Sequence, residues 1–207
     1  PDAAGLSGGV HSGSVTFSAQ VNGDVVSTSV TVTFNQDSHK LLVDGNGVAF
    51  AKTPSLSKLT QTLRVRDNFG LATNWTASSD QTWLSVTPSG TAGGDLVLTA
   101  NPAGLTPDNL NLATVTVSSP DASVENTEKV RIGFWVGSTD PAASTPIAVA
   151  SNTVAADPIR PYAYAGVGGN IRVYNIYTGA LVTTLTGVAT SLVGNMTISH
   201  DGSTLYA

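Results

Sequence analysis

The residues with the most chemical reach in this chain are three histidines, two recurring aspartates and three tryptophans. His11, His39 and His200 stand far apart, and none has a partner at metal-ligand spacing. Cys is absent from all 207 residues, which removes disulfides, thiolate metal sites and a Cys nucleophile together. A Ser–His–Asp triad needs a convergence that no spacing in the chain expresses. His200-Asp201-Gly202 reads as a turn rather than a catalytic pair. Asp44-Gly45-Asn46-Gly47 opens like a calcium loop but lacks the remaining acidic ligands and the closing Glu, so it reads as a tight turn. Gly166, Gly168 and Gly169 form a Gly-rich loop with no helix after it, which rules out a phosphate cradle. No residue is assigned to catalysis, to a metal, to a cofactor or to a known ligand.

The aromatic residues offer the other chemistry, because an aromatic face suits the C–H face of a sugar ring. Trp75 and Trp83 lie in alternating apolar–polar runs, which favours core packing over stacking on a glycan. Trp135 follows Phe134 in an apolar run, so the two point to opposite faces, and Trp135 is expected at a contact with a neighbouring domain. Tyr162, Tyr164, Tyr174 and Tyr177 are expected to pack between sheets, with a glycan-binding rim as the alternative. Asn74-Trp75-Thr76 and Asn195-Met196-Thr197 fit the glycosylation sequon, but both fall in expected strands and read as chance.

Composition narrows the class. Hydrophobic residues are 41%, enough for real cores, while charged residues are 11%, against roughly 25% in ordinary soluble domains. The polar surface must then be Ser, Thr, Asn and Gly, as on many extracellular β-rich proteins. A net charge of −5 with nine Lys and Arg leaves no basic cluster for a phosphate backbone, so nucleic acid is not an expected partner. No run approaches the roughly 18 apolar residues of a membrane helix. The first residue is Pro, and the chain is expected to be a segment of a longer protein.

The elements that must hold these residues are short strands. Ser14–Ala19 and Val30–Phe34 alternate with period 2 around Asn22-Gly23-Asp24, a hairpin turn signal, and their pairing gives one apolar and one Ser/Thr face. Further strands are expected at 59–66, 74–77, 83–86, 96–100, 113–118 and 130–136, separated by Gly, Pro and Asn. A repeat with a period near 100 links Ala4-Gly5-Leu6 to Ala103-Gly104-Leu105, Val15 and Phe17 to Val115 and Val117, and Val30, Val32 and Phe34 to Val130, Ile132 and Phe134. Residues 1–38 therefore read as the C-terminal half of a sandwich, and 39–138 as a complete one. Residues 139–146 read as a Pro/Ser/Thr linker. In 147–207, Asp157, Tyr162 and Ala163 recur 44 residues on as Asp201, Tyr206 and Ala207, the period of a propeller blade.

Residues 39–138 resemble a BACON domain, an immunoglobulin-like module found mainly in Bacteroidetes surface and secreted proteins. The resemblance rests on Trp75 followed by Ser78-Ser79-Asp80, on Trp83-Leu84 followed by Pro88-Ser89-Gly90, and on Ala103-Gly104-Leu105. It implies carbohydrate or mucin binding, or a plain spacer. Residues 147–207 resemble the YVTN-type propellers, which include surface-layer proteins and lactonase-like enzymes, through Arg160-Pro161-Tyr162-Ala163-Tyr164, residues 171–179 and residues 199–206. His200 and Asn175 stand where family blades usually have Pro and Asp, and no catalytic residue of that family carries over. The fold expected is all-β: immunoglobulin-like sandwiches followed by part of a β-propeller. The function expected is a non-catalytic stalk or adhesion module of an extracellular or cell-surface protein, with a surface polysaccharide or glycoprotein as a candidate partner. Two alternatives stand beside it. One is a hydrolase- or lactonase-like enzyme whose active site lies in further propeller blades. The other is a filament subunit, in which copies complete one another by strand complementation.

Overall fold

The computed structural model describes residue 6, residues 8–140 and residues 146–207. Ala4, Gly5 and most of the expected linker, Pro141 included, lie outside them. The described chain is all-β, with no helix and five sheets.

The first sheet is a hairpin of two long strands, β1 (Gly9–Val21) and β2 (Asp24–Gln36). Asn22 and Gly23 close it with φ of 51° and 91°, the positive pair that a two-residue hairpin turn requires. Both strands run well beyond the expected cores at 14–19 and 30–34. The register pairs Val15 with Val30, Gly13 with Val32 and His11 with Phe34. Val15, Phe17, Val26, Val30, Val32 and Phe34 share one face, and the other is mostly Ser and Thr. The apolar face is exposed, Phe17 at 59% and Val30 at 52%.

Next come β3 (Leu41–Val43), β4 (Gly47–Lys52), β5 (Ser57–Lys58), β6 (Thr60–Asp67), β7 (Asn74–Ser79), β8 (Leu84–Val86), β9 (Ser89–Thr91), β10 (Asp95–Ala100), β11 (Asn109–Ser118) and β12 (Glu128–Val136). They form a four-stranded sheet, β3-β6-β10-β8, and a six-stranded sheet, β5-β4-β12-β11-β7-β9. Every pairing is antiparallel except β12 with β4. The inward residues of both sheets build one core. Leu41, Val65, Leu96 and Leu98 come from the smaller sheet, and Phe50, Trp75, Val115, Val117, Val130, Ile132 and Phe134 from the larger. Alternation explains the selection: β10 reads exposed–buried throughout, so its leucines face in and its Asp, Val97 and Thr face out. Pro88-Ser89-Gly90, between the strands expected at 83–86 and 96–100, leads into β9, which pairs with β7 and lays Gly90 against the Trp75 ring.

Further along the chain, β13 (Thr153–Ala156), β14 (Tyr162–Val167), β15 (Asn170–Asn175) and β16 (Leu181–Leu185) form an antiparallel meander in sequence order. A short pair, β17 (Thr197–Ile198) and β18 (Leu205–Tyr206), follows. A second core holds Tyr164, Ile171, Val173 and Val193, with Met196, Ile198 and Leu205 packed on it.

In β12 the alternation stops. Residues 132–136 are all buried, although only Ile132, Phe134 and Val136 belong to the module core. Gly133 and Trp135 face the other way and are covered by the C-terminal unit. A strand buried on both faces reads as a continuous apolar run, which Gly133-Phe134-Trp135-Val136 is.

Candidate functional site

Two places in the fold gather polar or aromatic side chains from distant parts of the chain. The first is built where β3 pairs with β6. Leu41 lies opposite Asp67, which brings His39, just ahead of β3, beside the Asp67 carboxylate. His39 Nε2 is 2.5 Å from Asp67 Oδ2, and His39 Nδ1 is 2.9 Å from Ser123 Oγ. Thr73 donates to Asp67 Oδ2 at 2.5 Å, and the Phe69 amide donates to Oδ1 at 2.8 Å. The Asp67 side chain is fully buried. Burial raises its pKa, but the hydrogen bonds from Thr73, from His39 and from the Phe69 and Leu71 amides outweigh that and hold it at about 2.

A Ser123–His39–Asp67 row therefore exists, assembled from residues 84 and 28 positions apart. Its chemistry depends on where the single hydroxyl proton of Ser123 goes. Asp121 Oδ1 accepts from Ser123 Oγ at 2.8 Å and from the Ser123 amide at 2.9 Å. Both donors hold the Asp121 carboxyl below its ordinary range. A carboxylate is a strong acceptor, so it competes with His39 for that proton. The Ser123 amide, which an oxyanion would need, is directed to Asp121, and the carboxylate charge beside Oγ opposes a developing oxyanion. The row works as a brace that ties the entry to β3, the turn after β6 and the 119–125 loop. Phe69 stacks on His39 at 5.5 Å with half its surface exposed. Crevices flank the row. One of about 330 Å³ opens toward Gln36 and Asp37 at the foot of the hairpin. The other, of about 520 Å³, is bounded by Leu71, Asn74, Pro120 and Asp121.

Acid should loosen this brace. The folded pKa of Asp67, about 2, lies below its ordinary 3.8, so its contribution is complete above that value and is lost as pH falls toward 2. The expected result is a melting temperature that falls between pH 4 and pH 2 by less in Asp67→Asn than in the native chain. Parallel curves would assign the acid sensitivity to other carboxylates.

The second place is the outer face of β12. The turn at His200-Asp201-Gly202 sits on Gly133, so that a Cβ there would collide with the Asp201 carbonyl oxygen. Gly47 on β4 faces the same turn. Arg131 Nε is 3.6 Å from the buried Asp201 carboxylate. Asp201 also accepts from Ser203 Oγ at 2.8 Å; burial raises its pKa, and the serine hydrogen bonds together with Arg131 bring it below the usual value. Trp135 is buried, 6.3 Å from the Tyr162 ring, and Arg160 lies 5.6 Å over the other partner of that pair, Tyr162. Arg160 is itself fixed. It pairs with Asp157 at 2.7 Å and donates to Tyr164 Oη at 2.9 Å and to the Gly202 carbonyl at 2.8 Å. Burial and the Asp157 charge push the Tyr164 hydroxyl up to about 12, so it stays a neutral donor to Asp157. The two aspartates that recur at a 44-residue shift thus anchor two turns that meet beside β12.

Residues 138–140, just past β12, are tied to the unit before them. Asp140 accepts from Thr53 Oγ1 at 2.6 Å, from the Ser55 amide at 3.0 Å and from Ser55 Oγ at 2.8 Å. Asp108 accepts from the Ser138 amide and hydroxyl at 2.9 and 2.6 Å.

Of the other residues singled out in the sequence, Trp75 and Trp83 lie in the module core and present no stacking face. Tyr164 and Tyr174 are buried, and Tyr162 is half-buried at the joint. His11 lies on the hairpin and His200 in the docked turn, so the three histidines do not converge. Among the described residues, no group of three or more His, Asp or Glu side chains is placed to hold a metal ion. Sequence reasoning missed the His39 brace, and the one available signal was the pair of Asx-type turns at Asp67 and Asp121.

Residues 49–129 match the family model described as a viral BACON domain. The match spans β4 to the start of β12 and includes the Trp75–Gly90 framework of the core. No curated protein matches the chain. Solved structures resemble it only loosely. A Bacteroides ovatus GH5 xyloglucanase in complex with a XXXG heptasaccharide aligns with 17% identity and TM-score 0.38, over 52% of this chain and 21% of that one. The chain thus spans about a fifth of that protein. The periplasmic chaperone SfaE aligns with 14% identity and TM-score 0.40, over 81% of this chain and 96% of that one. The E. coli chaperone DraB aligns with 16% identity and TM-score 0.37, over 66% and 68%.

Proposed function

We propose that this chain is a non-catalytic, load-transmitting segment of an extracellular or cell-surface protein. In this reading an immunoglobulin-like BACON sandwich is joined stiffly to the first blade of a β-propeller. The observation that carries the reading is the joint. A spacer must hold the angle between its units, and here β12 belongs to one core on its inner face while its outer face receives the Asp201 turn and Tyr162. Asp140 and Asp108 fasten residues 138–140 back onto the sandwich unit. The sparsely charged, Ser/Thr-rich composition suits a secreted rod.

A glycan-contacting module is the second reading, and one feature favours it. Phe69 is an exposed aromatic that lines a crevice together with the polar residues Gln36, Asp37, Ser123 and Glu125. Two hydroxyls beside His39 line the larger crevice, Ser123 and Thr73; Thr73 donates to Asp67, so an enzymatic reading would have to run through Ser123. Ester hydrolysis discriminates. The spacer reading expects background turnover of p-nitrophenyl acetate that is unchanged in Ser123→Ala. A loss of tenfold or more in that variant would replace the spacer with a hydrolase.

A further inference from the structure

The long hairpin β1–β2 presents a wide apolar face to solvent, and the chain itself shows what such a face packs against. Shifted by 100 residues, β1–β2 superimposes in register on β11–β12. Val15 pairs with Val30 as Val115 pairs with Val130, and His11 pairs with Phe34 as Asn111 pairs with Phe134. The correspondence extends to each inward position. Val115, Val117, Val130, Ile132 and Phe134 are each 0–1% exposed, whereas Val15, Phe17, Val30, Val32 and Phe34 are between 38% and 59% exposed. The outward positions differ in the expected direction. Gly133 and Trp135, which receive the C-terminal unit, correspond to Thr33 and Asn35 on the hydroxyl-rich face of β2. A lone two-stranded hairpin is marginal in water, so a hairpin of 13-residue strands implies a partner for its apolar side.

We propose that the apolar face of β1–β2 is an acceptor surface for a sandwich front half of the same type as residues 39–102, placed in series on its N-terminal side. In the complete module this front half supplies the β3-β6-β10-β8 sheet over the β11–β12 face, and β4 and β7 along its two edges. The occupant would make the same pairs on β1–β2: an antiparallel strand beside β1, a parallel strand beside β2, and a leucine-rich sheet over Val15, Phe17, Val30 and Phe34. A second copy of this chain is a poorer source, because its own residues 39–102 already cover its own β11–β12. This inference rests on the reading of the chain as modules in series. Its test leaves the β12 joint untouched, so the two can fail separately.

The test grafts a copy of residues 39–102 directly ahead of Ala4, which reproduces the connection from Pro102 to Ala103. Hydrogen exchange is then followed in β1–β2, in the graft and in β11–β12 of the same molecule. The expected result is that hairpin amides slow by at least about tenfold relative to the ungrafted chain, since cooperative packing is what slows exchange. A matched graft carrying Leu96→Asp and Leu98→Asp should give no slowing. Hairpin exchange as fast with the graft as without it would overturn the proposal. So would a graft that stays unfolded while β11–β12 is protected, or equal protection from the doubly substituted graft. Concentration-dependent dimerisation of the ungrafted chain that protects β1–β2 would name a second copy as the occupant and overturn it as well.

Discussion

Gly133→Ala should detach the C-terminal unit from β12 while leaving the unit of residues 39–138 folded. The substitution adds one methyl to a strand interior, where Ala is preferred to Gly by about 0.5–1 kcal/mol, so the sheet itself gains nothing to lose. The methyl would occupy the space of the Asp201 carbonyl oxygen and press on the Ile159 side chain at 3.0 Å. Backbone cannot yield there as a side-chain tip could. The turn must lift away, and the Arg131–Asp201 pair and the Trp135–Tyr162 contact go with it. The readouts are a red shift in tryptophan emission as Trp135 meets water, and amide exchange in 157–162 and 199–204 faster by at least about tenfold. Urea unfolding of residues 39–138 should stay within about 1 kcal/mol of native. Unchanged emission and exchange would show that the joint tolerates a side chain it has no room for.

The second large effect belongs to the core. Trp75→Ala should destabilise the module by about 3–5 kcal/mol, the range for emptying a buried large aromatic site. Trp75 is 1% exposed and lies over Gly90, where a side chain would strike the ring. The loss therefore also frees β9 from the edge of the six-stranded sheet. Chemical denaturation measures it. A change below 1 kcal/mol would place the indole outside the core and would return it to the candidates for sugar stacking.

Much of the strand content was legible because period-2 alternation is local. The hairpin at Asn22-Gly23, the β10 leucines and the inward set Val115, Val117, Val130, Ile132 and Phe134 all follow from it. Alternation fails where both faces of a strand are covered, and β12 after Ile132 is such a place: the pattern shows that something covers Trp135 but does not identify Tyr162. It also fails for very short edge strands. Ser89–Thr91 carries turn residues and becomes β9 only because Asn74–Thr76 offers it an unpaired edge. The Ser123–His39–Asp67 row was illegible for a different reason. Its members are polar loop residues brought together by the Leu41–Asp67 register and the 119–125 loop, and no periodicity encodes that closure. The Asp157 and Asp201 repeat was visible as a recurrence of 44 residues, but the meeting of its two turns beside β12 required the fold.

A rigid spacer needs a stiff joint between β12 and the Asp201 turn, and one distance tests it. The chain has no native Cys, so Ser85→Cys and Thr184→Cys, both at exposed strand positions in different units, accept spin labels cleanly. Pulsed dipolar spectroscopy should give a single narrow distance in this pair, and the same pair carrying Gly133→Ala should give a broad distribution. A distribution already broad with Gly133 in place, and unchanged by the alanine, would contradict a rigid spacer and leave two units on a flexible tether.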